Sequence, residues 1–180
     1  MRRDAREAVY KLLFSNLFGD EYEEDFKKEM FFESKLKPED TVFADKLLSV
    51  VKEHGEEIKN IISDNSKGYK IDRIYSTDFV AMEIAVAELT YFTDIPHIVS
   101  IDEALWLVRK YSTENSLNFV NGVLANYNKK IEAGGAIQDN ISKENTVENI
   151  IKQDNADIKE DSGKQEDIVN QDISKDDGNR

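Results

Sequence analysis

The stretch Ser76-Thr77-Asp78-Phe79-Val80-Ala81-Met82-Glu83-Ile84-Ala85-Val86-Ala87-Glu88-Leu89 decides the fold class. Phe79, Val80, Ile84, Ala85, Ala87 and Leu89 recur at helical spacing, and Ser76 or Thr77 is placed to cap the start. Its alanines are small enough for neighbouring helices to approach closely. The segment is therefore predicted to be the central, most buried helix. Thr93-Asp94-Ile95-Pro96 stops it, because the residue before proline is biased away from helix. Downstream, Ser100 and Glu103 have capping-box spacing, and Ile101, Ala104, Leu105, Val108 and Tyr111 form an apolar face. Ser112-Thr113 opens a last helix with Leu117, Val120, Val123, Leu124 and Tyr127 facing inward.

Upstream, Asn65-Ser66-Lys67-Gly68 is a break, and residues 69–74 form a short helical turn. Before the break, Pro38 suits a first helical turn, and the apolar face from Val42 to Ile62 follows, with Gly55 placed to bend it. A helix over about 21–35 buries Tyr22 and Phe26 and part of Met30, Phe31 and Phe32. The first helix carries Ala5, Val9, Leu12, Leu13 and Leu17, with Asp4 and Glu7 at capping-box spacing. β-Branched residues occur only at helical spacing. The expected fold is all-α, about seven helices joined by short loops.

Composition divides the chain of 180 residues near residue 133. All aromatic residues lie at or before Tyr127, and residues 134–180 carry 12 acidic and 6 basic side chains without one aromatic. Such a segment buries too little apolar surface to offset chain entropy. One domain over 1–133 and a disordered, acidic, polar tail over 134–180 are expected. No apolar run reaches membrane-span length, and Asp4 and Glu7 close behind Arg2 and Arg3 are unlike a secretory leader. The chain is expected to be cytoplasmic. The absence of cysteine excludes disulfides and thiol catalysis.

The net charge of −13 argues against a non-specific nucleic-acid binder. Arg2, Arg3 and Arg6 nevertheless crowd the amino terminus, with Lys11 farther along. They read either as a solvated helix start or as a small phosphate-contacting patch. His54 and His97 are too isolated for a metal site, so no metal and no cofactor are expected. No glycine-rich phosphate loop or nucleophile elbow occurs. A binding module is expected rather than an enzyme. Gly122, inside the last helix, costs roughly 1 kcal/mol against alanine and is read as a point of close helix contact, with Asn121 beside it.

The order of several motifs resembles the NusB family of bacterial transcription antitermination factors. They are Arg2-Arg3-Asp4-Ala5-Arg6-Glu7, Tyr69-Lys70-Ile71-Asp72-Arg73-Ile74, Ala85-Val86-Ala87-Glu88-Leu89 with Asp94-Ile95-Pro96, Ile101-Asp102-Glu103-Ala104, Glu114-Asn115-Ser116, and Phe119-Val120-Asn121-Gly122-Val123-Leu124. The resemblance covers Arg2 to about Ile131 and leaves out the tail. It implies two small packed helical subdomains and a non-enzymatic role. It also implies pairing with the small-subunit ribosomal protein NusE, binding of boxA RNA in ribosomal RNA leaders, and action within the RNA polymerase antitermination complex, as a monomer or homodimer. Carried over residue by residue, Arg2, Arg3 and Arg6 face RNA, with Asn115, Ser116 and Phe119 nearby. Tyr10 or Phe119 supplies stacking, and Glu88 contacts the partner.

The chain departs from the family pattern at Glu83, Ile98 and Asn118, where basic residues are common, and at Asp102, where Asn is common. Asn115 stands where an acid is usual, and Trp106 where a polar residue is usual. The lost positive charge favours a second reading, a protein–protein scaffold of the same complex with weak or lost intrinsic RNA binding.

Overall fold

The computed structural model describes residues 1–19 and 22–134; the tail expectation lies outside them. Among the described residues there are α-helices, one short 3-10 turn and no strand. The helices are α1 (Arg2–Asn16), α2 (Glu24–Glu33), α3 (Pro38–Asn65), α4 (Ser76–Tyr91), α5 (His97–Tyr111) and α6 (114–134). The 3-10 turn is Ile71–Arg73. α3 bends at His54, whose φ of −111° and ψ of 17° leave the helical region. Among the described residues six α-helices and the short 3-10 turn stand where about seven helices were expected. The bend falls one residue before Gly55.

α4 is the structural centre. Ten of its residues are buried, among them Val80, Ala81, Met82, Ile84, Ala85, Val86, Ala87 and Leu89. A helix buried nearly all round has little amphipathic contrast. It packs on α3, α5 and α1. Residues Met1–Ile131 form one compact unit, with Leu12, Leu47, Ile58, Ile62, Leu107 and Leu124 fully buried in its core. On α2 only Phe31 is buried, while Phe26 and Phe32 point outward.

The helix starts differ from the sequence expectation. α1 begins at Arg2, so Asp4 is its third residue rather than its cap. There Asp4 accepts from the amino terminus at 3.0 Å. α4 begins at Ser76 behind Tyr75, and α5 begins at His97 behind Pro96. Ser100 and Glu103 thus sit inside α5, free to bond across to α4 and α1. Only α6 takes its side-chain cap as read, with the Ser116 N–H donating to Thr113 Oγ1 at 3.3 Å.

Candidate RNA interface

α1 and α5 lie side by side in the same direction, because their side chains pair in order. Arg2 donates to Asp94 Oδ2 at 3.3 Å. Arg3 holds Glu103 through Nε at 3.0 Å and Nη2 at 2.6 Å. Farther along, Lys110 reaches Glu7 at 2.7 Å, and the Tyr111 hydroxyl donates to the same carboxylate. Burial alone would raise the Glu7 pKa. The hydrogen bonds from Lys110, Tyr111 and Lys11 outweigh it and hold Glu7 at about 2. Trp106 stands on α5 within this row. The Arg3 guanidinium lies 5.1 Å and the Lys110 ammonium 4.9 Å from its ring centre. The tryptophan is therefore a partly buried cation–π partner that helps fix two surface cations.

Arg6 lies one turn farther along the same face of α1, sharing the Phe43 ring with Arg2 and the Glu103 carboxylate with Arg3. It is 4% exposed and meets Glu88, 1% exposed, on α4. Nε donates to Oε1 at 2.6 Å and Nη2 to Oε2 at 2.9 Å. Ser100 Oγ adds a bond to Glu88 Oε2 at 2.7 Å, and Glu103 Oε2 lies 3.9 Å from Arg6 Nη1. The surface positions expected of Arg6 and Glu88 are therefore corrected. Both charges are interior, and each satisfies the other. A charge on the most buried helix needs such a partner, and that requirement was the sequence signal for the pair. Tyr10 is interior as well. Its hydroxyl donates to the Thr77 carbonyl at 3.2 Å, and its ring stacks on Tyr111 at 4.8 Å. It is core and offers no exposed stacking face. Burial, then the charge of Asp78, pushes its hydroxyl up to about 12.

The remaining predicted residues meet at a cleft of about 330 Å³ at the start of α6. Asn115 is exposed at its rim. Ser116 is buried at its wall, its hydroxyl bonded to Ser112 and Thr113. Phe119 is half-buried and packs against the exposed Tyr69 at 5.0 Å, with ring planes 57° apart. Arg73, Ile74, Tyr75, Asp78 and Thr113 complete the lining. Asp78 is buried, and its Oδ1 has no hydrogen-bond partner among the described residues. The cleft thus offers three aromatic side chains, a guanidinium and an exposed amide. Tyr69, Arg73, Tyr75 and Asp78 were missed in the sequence as site residues. Tyr69 carried a signal: an aromatic directly after a chain break belongs to no apolar stripe. Arg2 and Arg3 do not line this cleft.

The histidines are held structurally. His54 stacks on Tyr91 at 4.2 Å, and His97 Nδ1 lies 2.6 Å from Asn128 Oδ1. No cluster of His, Cys, Asp or Glu suited to a metal occurs among the described residues. No helix among them is long and apolar enough to cross a membrane.

Fold and surface define a class: a small all-helical module presenting an aromatic, amide-lined cleft and a row of cations along two adjacent helices. A family model described as the NusB family matches residues 3–129, and the chain belongs to that family. The transcription antitermination protein NusB of Clostridium botulinum (strain Kyoto / Type A2) is 36% identical over 137 residues, covering 68% of this chain and 96% of that protein. Its counterpart from Finegoldia magna is 30% identical over 131 residues, covering 73% and 96%. A crystal structure of the antitermination factors NusB and NusE in complex with dsRNA contains a similar chain. That match has 29% identity and a TM-score of 0.65, covering 72% of this chain and 96% of that one.

Proposed function

We propose that this protein is an RNA-binding adaptor of transcription antitermination. It pairs with NusE, holds the boxA segment of nascent ribosomal RNA leaders, and helps RNA polymerase pass termination signals. It performs no bond chemistry of its own. The observation that carries this reading is the cleft at the start of α6. Single-stranded RNA is recognised by stacking on aromatic side chains and by hydrogen bonds to splayed base edges. Phe119 and Tyr69 supply the stacking surface. Asn115 meets base edges. Arg73 and the outer arginines, Arg2 and Arg3, take phosphates. Arg6 acts as a positioning residue, fixing α1 to α4 through Glu88.

The test is fluorescence anisotropy of a labelled boxA oligonucleotide titrated with this protein, with NusE, and with both. The adaptor reading expects the pair to bind more tightly than either component and to prefer boxA over a scrambled strand. A second reading, a scaffold with weak RNA binding, draws on the engagement of all three amino-terminal arginines by carboxylates. It expects a NusE complex whose RNA affinity equals that of NusE alone.

A further inference from the structure

Gly122 sits in the middle of α6, where glycine is less favourable than alanine, and no contact among the described residues uses its small size. A β-carbon built there would meet nothing within 4 Å, so the close helix contact expected from the sequence is absent. The open space lies in a groove of about 460 Å³ between the end of α3 and the outer face of α6. Lys67 and Lys129 flank it, and Asn65 and Asn126 line it, joined amide to amide at 3.0 Å. Asn118 is exposed at its side. None of the described acidic residues lines this groove. Both lysines are exposed, and neither forms an ion pair with a described residue. Tyr69 and Phe119 line this groove as well as the cleft described above, so the aromatic pair is the wall between two connected surfaces.

We propose that this groove is a second nucleotide subsite, in which the sugar–phosphate backbone of single-stranded RNA crosses α6 over Gly122 between Lys67 and Lys129. Charge selects the occupant, because a cationic groove on an anionic body favours a polyanion. Continuity makes it the strand leaving the Tyr69–Phe119 cleft. Glycine lets that backbone lie close against the helix, and the asparagine amides supply neutral donors to phosphate or ribose oxygens. The proposal rests on the adaptor reading and adds the direction and length of the RNA track.

The test uses the full chain with saturating NusE and two labelled RNAs: a boxA oligonucleotide, and the same strand extended by a few nucleotides at each end. Gly122→Gln fills the groove without adding charge. It is expected to raise the melting temperature by about 3 °C, weaken the extended RNA at least fivefold and leave the short RNA within twofold. Lys67→Gln with Lys129→Gln is expected to flatten the salt dependence for the extended RNA only. Unchanged affinity of Gly122→Gln for the extended RNA overturns the subsite while leaving the adaptor reading intact. Equal loss on both RNAs, or loss of the NusE complex, also overturns it, the latter marking the groove as a protein contact. Failure of the unaltered protein to bind either RNA sinks the adaptor reading and the subsite together.

Discussion

Replacing Glu88 with alanine strips the Arg6 guanidinium of both its strong acceptors, at 2.6 and 2.9 Å, in a site that is 4% exposed. Breaking a buried ion pair by removing one partner costs about 3–5 kcal/mol, because the other charge remains desolvated. Ser100 also loses its acceptor, worth about 1 kcal/mol. Glu103, 3.9 Å away, recovers part of the loss. The expected destabilisation is therefore about 4 kcal/mol, a large share of the roughly 5–15 kcal/mol that holds a typical domain together. Urea denaturation followed by far-UV circular dichroism at pH 7 measures it as a lower midpoint at unchanged slope. Replacing both partners, Arg6→Met with Glu88→Leu, removes the stranded charge and should recover most of the stability. A loss under about 1 kcal/mol for Glu88→Ala alone would refute the interior pair. So would a double variant no better than the single one.

Three further outcomes are expected. Glu83, raised by burial to about 7 despite the nearby charge of Lys59, keeps its proton in the folded state over a range where the unfolded chain releases it. Stability should fall as pH rises from about 4.5 to 7 and level off above, by about 3 kcal/mol at 1.36 kcal/mol per unit; Glu83→Gln should abolish that slope in pH-resolved urea melts. Glu7, held at about 2, contributes stability that is present above about 4.5 and lost as pH falls toward 2, so Glu7→Gln should lessen acid sensitivity in that window. Arg2→Ala with Arg3→Ala should lower the salt-dependence slope of RNA binding by up to about 1.4, at about 0.7 per phosphate contact on a single strand, as read by anisotropy over a salt series.

The helical framework was legible because apolar periodicity reports burial. The alanine-rich Ser76–Leu89 stretch marked the central helix, and Pro38 and Pro96 marked boundaries. Helix starts were harder. Ser, Thr and Asp are common near a start, and three of the four capping assignments fell inside the helix. Arg2, Arg3 and Arg6 look alike in sequence and share one face of α1. Depth along the helix separates them: Arg2 and Arg3 stand exposed on the first turn, whereas Arg6, one turn farther in, is buried against Glu88 of α4. The α6 cleft was half legible. Asn115, Ser116 and Phe119 adjoin in the chain, but Tyr69, Arg73 and Asp78 reach them only through packing of α4 and its preceding turn against α6. Gly122 was noticed for its cost, yet only the structure shows that the space beside it is open.

The central claim is that the Tyr69–Phe119 cleft holds single-stranded RNA. Phe119→Ala removes one aromatic wall without touching the arginines or the Arg6–Glu88 pair. Base stacking is worth about 1–3 kcal/mol per base, so the dissociation constant of the NusE-bound protein for boxA RNA should rise roughly 5- to 150-fold, with the NusE complex and the melting transition preserved. Unchanged boxA affinity in a folded, NusE-bound Phe119→Ala protein would contradict the account.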